Sequence, residues 1–433
     1  MELPRDLTRL SASAARRAIA DGSLTSTRLV EAYLERIDAR DPIVRAWKFI
    51  DRDLVMMQAA ARDHSPAIGL LHGVPVAMKD IVATEDLPTE YGSPIYRGHR
   101  TSRDAVSMAM MRAAGAVLLG KTVTTEFATF APGVTRNPHN PGHTPGGSSS
   151  GSAAAVGDWQ VPIATGTQTA GSVIRPAAYC GAIGYKPTFG RFNYSGIKVT
   201  APSLDTLGLF VNDFEDLHLV SGVLTGLDKP TSSQVAGRAP KIGLCRTTWW
   251  ERGSDDMHRV VEDTAHRLGQ AGATVTDIAL PQYFDDLIRA QTTVMEHELS
   301  ISLRPEYDHH RDLLTVDLRT ALERGAKYPI DQIQDSKALA IKCRSHLDSV
   351  FADVDVILAP TALGEAPAGH FTTGDPIFQR MWTFMGYPCV TYRAGSGEHG
   401  LPIGVQATGP IGSDDSLIDY AAWMGTHTRV SNP

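Results

Sequence analysis

An amphipathic helical pattern lies near the start of the chain. Apolar side chains recur at helical spacing between residues 29 and 37, with Glu31 and Glu35 on the opposite side of the helical wheel. The apolar positions are Leu29, Val30, Tyr33, Leu34 and Ile37. Thr25 or Ser26 precedes the stretch and suits an N-cap, because its side-chain oxygen accepts a hydrogen bond from a free N–H group of the first turn. The pattern predicts a helix with one face packed on a larger body.

Strand-like and helical segments alternate after this helix. Residues 72–82 are β-rich and almost wholly apolar, which is typical of a buried strand. Further strand patterns lie at residues 116–122, 161–165, 240–247, 273–280 and 354–360. Further helical patterns lie at residues 102–114, 255–270, 285–303 and 332–351. This order predicts an α/β layered fold in which helices cover a mixed sheet.

Composition and charge exclude two classes of partner. Lys and Arg number 41 and Asp and Glu number 48, so the 433-residue chain carries a formal net charge of −7. Because it also lacks basic blocks, we expect no nucleic-acid and no membrane partner. No apolar run approaches the ~18–20 residues of a membrane span, and the N-terminus lacks the apolar core of a signal peptide. These features favour a cytoplasmic protein.

Cysteine and histidine spacing gives no metal signal. Cys180, Cys245, Cys343 and Cys389 are scattered, which indicates neither a disulfide framework nor a zinc site. The His309–His310 pair is adjacent, so its side chains point apart rather than chelate one ion. We expect no metal ion.

The glycines concentrate in one zone. Residues 142–196 contain 11 glycines in 55 positions, whereas the whole chain has 39 in 433. Glycine is tolerated in number where the backbone turns tightly or approaches a ligand closely. The zone is therefore where we look first for chemistry.

Lys79 is the first candidate for chemistry, because it lies inside the apolar 72–82 strand. Burial removes the hydration of an ammonium group and lowers its pKa, which makes a lysine a usable base near neutral pH. The alternative is that Lys79 pairs with Asp80 or extends to solvent at the strand end.

The second candidate is the segment PGGSSSGSAAAV at residues 145–156. It could bind phosphate through backbone N–H groups, but the Gly-Lys-Ser/Thr ending of a P-loop is absent. Residues 147–151 also match the G-x-S-x-G pattern of α/β-hydrolases, with Ser149 as nucleophile. That pattern needs a preceding strand, and residues 137–147 are broken by proline and glycine. A flexible linker is the remaining alternative.

The third candidate is the segment ATGTQTAGSVIRPAAYCG at residues 164–181. Its small residues after a strand can aim several N–H groups at one point, which is what an oxyanion hole requires. A plain strand-to-helix turn is the alternative. Together the three segments supply a base, a relay, a nucleophile and an oxyanion hole, and a serine nucleophile needs such neighbours.

These motifs resemble the amidase signature family of Ser-Ser-Lys hydrolases. GVPVAMKD resembles the family's lysine motif, GGSSSGSAAAV its serine-glycine motif, and GTQTAGSVIRPAAYCGAIGYKPTFG its nucleophile motif. Ser172 follows Ser148 by 172 − 148 = 24 residues, as in the family. Flanking segments such as GKTVTTEFA and GLPIGVQATG also match, so the resemblance spans nearly the whole chain.

The resemblance implies a fold and a set of roles. The fold would be one domain over residues 1–433, with an N-terminal helical segment at about 1–45 and a mixed, mostly parallel central sheet covered by helices on both faces. Ser172 would be the nucleophile, Ser148 the relay on a cis peptide bond, and Lys79 the base. The oxyanion hole would be formed by the amides of Thr169, Ala170, Gly171 and Ser172. No metal or organic cofactor would be needed.

The nucleophile motif departs from the family at three positions. Gln168 stands where an acid is common, Ala170 stands where glycine is common, and Arg175 follows Ser172 by three residues instead of two. An ion pair that usually braces this loop would then be absent or rebuilt. We expect the departures to affect the loop and the substrate preference more than the serine-lysine chemistry.

The substrate pocket is predicted from aromatic residues and neighbours of the motifs. The glycine and proline content of residues 361–385 predicts a long irregular connection, and such connections often form lids. This places Phe371, Phe378, Trp382 and Phe384 as pocket walls. Phe127 and Ser149 are further candidates for substrate binding.

The predicted function is hydrolysis of an amide, anilide or carbamate (urethane) bond in a small molecule, with esters chemically accessible. The chain would act as a monomer or homodimer. One alternative is the amidase-type subunit of a transamidating complex. Others are an esterase-like or α/β-hydrolase enzyme that uses Ser149, and a non-catalytic binding protein.

Overall fold

The computed structural model describes residues 3–430 and is organised around an 11-stranded sheet. The strands follow one another across the sheet in the order β1-β3-β2-β4-β6-β5-β10-β11-β9-β7-β8. Their bounds are β1 Trp47–Phe49, β2 Pro75–Lys79, β3 Val117–Thr122, β4 Ile163–Gln168, β5 Ile183–Lys186, β6 Thr206–Val211, β7 Lys241–Leu244, β8 Thr274–Asp277, β9 Val356–Pro360, β10 Cys389–Ser396 and β11 Pro402–Thr408. The predicted strands at 72–82, 116–122 and 354–360 correspond to β2, β3 and β9.

The sheet is mixed, as predicted, but parallel pairing does not predominate. Within residues 3–430, four neighbouring strand pairs are parallel and six are antiparallel. The expectation of a mostly parallel sheet is therefore wrong. Strands β10 and β11 form a central antiparallel hairpin between β5 and β9. Glycine and proline interrupt this stretch of sequence, which hides its strand pattern.

Fourteen helices accompany the sheet in the described part of the chain. Their bounds are α1 Ala12–Ala20, α2 Ser26–Val44, α3 Arg52–Asp63, α4 Val106–Ala113, α5 Ser150–Gly157, α6 Ile174–Cys180, α7 Phe214–Leu224, α8 Asp255–Gln270, α9 Leu287–Ser302, α10 Arg304–His310, α11 Val316–Gly325, α12 Ile330–Val350, α13 Ile377–Phe384 and α14 Asp414–Thr428. None of these helices combines the length and apolar character that a membrane crossing requires.

Two sequence predictions about helices have opposite outcomes. The first predicted helix is α2; Thr25 is its N-cap, and all five of its predicted apolar residues are buried. Residues 361–385, in contrast, are not irregular throughout, because α13 forms within them. The helix begins just after Pro376 and buries most of its side chains, so this part of the predicted lid belongs to the core.

The sheet has hydrophobic core on both faces. In β2, Val76 and Met78 belong to one core cluster, whereas Ala77 belongs to the second cluster together with residues of α5 and α6. Successive side chains of a strand point to opposite faces, so Lys79 shares the face of Ala77. The strand period thus directs Lys79 toward α5 and α6, where the serine motifs lie.

Candidate active site

Lys79 lies at the carboxyl end of β2 and is completely buried. Its Nζ donates to Ser148 Oγ at 2.9 Å and to Thr167 Oγ1 at 2.8 Å. Burial lowers the pKa of Lys79 to about 7, and the negative charge of Asp205 partly opposes this shift. At neutral pH a large fraction of the amine is therefore uncharged and able to accept a proton.

Asp80, the alternative partner of Lys79, interacts with other groups. The Asp80 carboxylate lies 3.4 Å from Lys121 Nζ, and it also accepts from the Glu90 N–H. Within residues 3–430, no carboxylate lies within ion-pair distance of Lys79. The hypothesis that Lys79 pairs with Asp80 is therefore wrong, and its ammonium contacts neutral hydroxyl groups instead.

Ser148 precedes α5 and follows a cis peptide bond with Gly147. The segment before it contains no strand, as its proline and glycine content predicts. The backbone carbonyl of Ser148 accepts a hydrogen bond from the Thr125 N–H at 3.2 Å. The carbonyl of Gly147 accepts a hydrogen bond from Arg175 Nη2 at 2.7 Å. These contacts hold the Ser148 hydroxyl where Lys79 reaches it.

The neighbouring Ser149 makes structural contacts. Its side chain is buried, and its Oγ donates to the carbonyl of Thr167 and accepts from the N–H of Thr167, both at 3.3 Å. These two hydrogen bonds connect the start of α5 with β4. With no strand before it and both hydroxyl functions engaged, Ser149 does not have the geometry of an α/β-hydrolase nucleophile.

Ser172 lies in the short connection between β4 and α6, and its side chain lines a cavity. Strands β2 and β4 are parallel neighbours, with Val76 opposite Ile163. Their carboxyl ends consequently meet at one edge of the sheet, which brings the lysine and nucleophile motifs together. Open α/β sheets commonly bind ligands at this edge.

The connection from Thr169 to Ser172 presents free backbone donors. Within the described part of the chain, the N–H groups of these four successive residues donate to no other group. Their carbonyl side is fixed, because the Thr169 carbonyl accepts from Gln291 at 3.0 Å and the Ala170 carbonyl accepts from Thr383 at 2.7 Å. Fixed donors of this kind can stabilise a developing oxyanion.

Gln168 replaces the missing acid as the brace of this loop. Its Oε1 accepts from the N–H groups of Val173 at 2.8 Å and Ile174 at 3.0 Å, and its Nε2 donates to Thr383 Oγ1 at 2.9 Å. A neutral amide can accept and donate at once, whereas a carboxylate only accepts. The loop is therefore rebuilt around hydrogen bonds without an ion pair.

We expect Gln168→Leu to destabilise the protein and slow its reaction. The substitution leaves the two N–H groups at the start of α6 buried and without partners, which costs about 1–3 kcal/mol of unfolding free energy. Urea denaturation would measure this loss, and turnover would report the displaced loop. Gln334→Leu is the matched control, since Gln334 is exposed on α12; equal effects of the two substitutions would contradict the bracing role.

A cavity of about 360 Å³ opens beside Ser172. Its lining comes from distant parts of the chain and includes Phe130, Thr169, Met295, Arg175, Phe371 and Arg380. Gly171 packs so closely under its wall that an added Cβ would lie 2.7 Å from Gln379 Oε1 and 2.8 Å from the Pro376 ring. The loop before Ser172 thus requires a glycine here.

Most of the predicted pocket walls lie elsewhere. Phe127, Trp382 and Phe384 are buried in hydrophobic core clusters and do not line this cavity, and neither do Phe378 and Ser149. Phe371 does line it, with its side chain 95% exposed at the mouth. The aromatic composition of residues 361–385 could not distinguish a cavity residue from a core residue, because it does not show that α13 forms and buries its aromatic side chains in the core.

Sequence reasoning missed Met295 and Arg380 as cavity residues. They lie on α9 and α13, far from the three motifs along the chain. The contact between these helices brings them to Ser172. No local signal in the sequence indicates that placement.

Known proteins resemble the chain over almost its full length. The sequence model of the family described as Amidase matches residues 28–418. A glutamyl-tRNA(Gln) amidotransferase subunit from Koribacter versatilis (strain Ellin345) is 32% identical, and the match covers 96% of this chain and 98% of the relative.

Two solved structures share the fold. The native peptide amidase from Stenotrophomonas maltophilia matches with a TM-score of 0.85 at 27% identity, over 99% of each protein. One protein from a vestigial protein complex, described as revealing the evolutionary origins of an s-triazine catabolic enzyme, matches with a TM-score of 0.89 at 25% identity. That match covers 98% of this chain and 100% of the other.

Proposed function

Since the chain belongs to the amidase family, we propose that it hydrolyses an amide or amide-like C–N bond of a small molecule through an acyl-enzyme on Ser172. The observation that carries the proposal is the contact of Lys79 Nζ with Ser148 Oγ at 2.9 Å, in a site where the lysine is fully buried and unpaired with any described carboxylate. A lysine in this state can act as a base near neutral pH, and the serine it contacts can pass a proton on.

Acylation begins with uncharged Lys79. The amine accepts the Ser148 hydroxyl proton while Ser148 Oγ accepts the proton of Ser172, and Ser172 Oγ attacks the carbonyl carbon. The carbonyl oxygen takes up negative charge, which the N–H groups of the Thr169–Ser172 loop stabilise. When the C–N bond breaks, the proton returns through Ser148 to the leaving nitrogen, and an acyl ester on Ser172 remains.

Deacylation repeats the same proton path with water. Water gives a proton through the relay to Lys79 and attacks the acyl ester, and Ser172 recovers its proton as the acid product leaves. One lysine can serve as base and then as acid because its pKa lies close to neutral pH. Every step uses side chains and amides of the chain itself.

The dimensions of the cavity favour a small substrate. A volume of about 360 Å³ lies within the range of small-molecule sites, ~300–1,000 Å³. Amides, anilides, carbamates and esters all present a carbonyl carbon to the same nucleophile, so the same catalytic groups can act on each of them.

We expect the isolated chain to hydrolyse at least one member of a panel of small amides, anilides, carbamates and esters. Mass spectrometry of the acid-quenched protein would show the acyl mass on the peptide that contains Ser172, with fragmentation separating Ser172 from Ser148. An adduct on Ser148 would contradict the assigned nucleophile. Absence of both turnover and adduct across the panel would favour a non-catalytic binding protein.

The second candidate is the amidase-type subunit of a transamidating complex. It is favoured by the 32% identity to a glutamyl-tRNA(Gln) amidotransferase subunit over nearly the whole of both proteins. In that case, ammonia release would require added partner subunits, and the isolated chain would be inactive on the panel. Hydrolysis by the isolated chain would count against this candidate.

A further inference from the structure

The strongest unexplained feature near Ser172 is a pair of arginines, of which Arg175 is buried and Arg380 is half-buried. We propose that the substrate carries a carboxylate close to its scissile carbonyl, and that Arg380 binds this carboxylate with support from the positive charge of Arg175. The inference rests on the proposed function and names its substrate class.

Both guanidinium groups line the cavity beside Ser172. Arg175 follows Ser172 by three residues, which places it one helical turn away at the start of α6. Arg380 reaches the same cavity from α13. Burial lowers the pKa of Arg175 to about 10 and also lowers the pKa of Arg380. Two desolvated cations therefore face one small volume.

Neither guanidinium forms an ion pair with a carboxylate of the described chain. Arg175 donates to the carbonyls of Thr373 and Gly147, both at 2.7 Å, and its buried Nη1 has no partner among residues 3–430. Arg380 uses Nη1 to donate to the Gln291 side chain and to Thr292 Oγ1. All of these acceptors are neutral, so the charge of each arginine remains uncompensated by direct contact.

Two other cations of this protein have carboxylate partners, whereas the buried Lys79 and Lys186 contact only neutral groups near or away from the site. The ammonium of Lys121 lies 3.4 Å from Asp80, and Lys198 pairs with the buried Glu306. A buried charge without a partner is costly, and proteins normally pair it or use it for function. At the cavity, a ligand carboxylate would supply the missing partner.

The acidic residues of the cavity do not supply that partner. Asp375 forms an ion pair with Arg252 at 3.0 Å, on the outer side of the loop, and Asp317 is exposed on α11. The lining thus holds two arginines and two aspartates, and the charges of Asp375 and Glu296 act on Arg380 only from beyond ion-pair distance. Direct contact with a carboxylate is what an anionic substrate would add and a neutral one would not.

The free part of Arg380 fits a carboxylate. Within the described residues only Nη1 of this side chain makes hydrogen bonds, which leaves Nε and Nη2 for a ligand. A guanidinium edge of two donors matches the two oxygens of a carboxylate. Because Arg380 and Ser172 line one cavity of about 360 Å³, the carboxylate and the attacked carbonyl must be separated by a short chain. Monoamides of short dicarboxylic acids have this form.

The test compares acid monoamides with diamides of the same chain length, from three to six carbons. We expect wild-type kcat/KM to favour the acid monoamide by on the order of 100-fold at the best length. Arg380→Gln should reduce this preference to below about tenfold, and Arg380→Lys should restore part of it. Arg289→Gln is the matched control, since Arg289 is exposed on α9 and pairs with Asp286 outside the cavity, so the variant should keep the preference.

A binding measurement separates this inference from the proposed function. Calorimetry with the corresponding dicarboxylates would use Ser172→Ala, with and without Arg380→Gln, so it does not depend on turnover. We expect binding to Ser172→Ala and at least tenfold weaker binding to the double variant. The inference would be overturned if wild-type kcat/KM were equal for the acid monoamide and the diamide. It would also be overturned if dicarboxylates bound equally tightly with and without Arg380→Gln. Dicarboxylate binding without hydrolysis of any amide would support the anion site and overturn the proposed function alone.

Discussion

Replacement of Ser172 by alanine is expected to abolish acylation and to lower kcat by on the order of 10⁶-fold. The reason is chemical: without Oγ no acyl ester can form, whereas the buried hydrogen bond from Lys79 to Ser148 stays in place. The residual rate would come from binding and from the free N–H groups of the loop. A fluorophosphonate probe, which labels activated serines, would measure the loss directly as absence of covalent labelling.

Ser149→Ala is the matched control for Ser172→Ala. Ser149 is also a serine of the glycine-rich zone, but its hydroxyl bonds both backbone groups of Thr167. Its loss should lower the free energy of unfolding and leave labelling of Ser172 intact. Labelling that survives in Ser172→Ala and disappears in Ser149→Ala would show that the nucleophile is assigned to the wrong serine.

Lys79→Met is expected to lower kcat/KM by on the order of 10²–10⁴-fold, since it removes the base while keeping an unbranched side chain of similar length. The fold should survive, because the change replaces a buried amine with an apolar group and leaves only the hydroxyls of Ser148 and Thr167 without a donor. Lys186→Met is the control: Lys186 is equally buried, but its Nζ donates to the Pro187 carbonyl away from the site. A comparable loss of activity in both variants would point to a packing effect.

The pH profile gives this prediction a second readout. Burial lowers the pKa of Lys79 from 10.5 to about 7, so the amine is charged below that pH and uncharged above it. Because the base must be uncharged, wild-type kcat/KM should rise about tenfold per pH unit below pH 7 and level off above it. Lys79→Met should lose this acid limb. Retention of most activity by the variant across pH 6–9 would refute the relay.

The sequence determined many of the helices and strands and marked the chemical groups of the candidate site. The helical period of residues 29–37 and the cap at Thr25 are local properties, and the structure has them as α2. The apolar run around Lys79 determined its burial, since a strand with two apolar faces has no exposed side. The glycine-rich zone likewise marked Ser148 and Ser172, because tight turns need glycine wherever the chain finally places them.

Only the tertiary structure decided which strands pair and which residues line the cavity beside Ser172. Strand direction depends on which strands meet, so the central β10–β11 hairpin, and with it the excess of antiparallel pairs, could not be read from local periodicity. The role of Gln168 depends on Thr383, which is 215 residues away, and the aromatic side chains of α13 turn inward because of the helix that forms there. Arg380 lines the same cavity as Ser172 because α13 packs against α9. Local sequence sets backbone preference and solvent preference, whereas contacts between distant segments depend on how whole elements pack. The cavity beside Ser172 is built from such contacts.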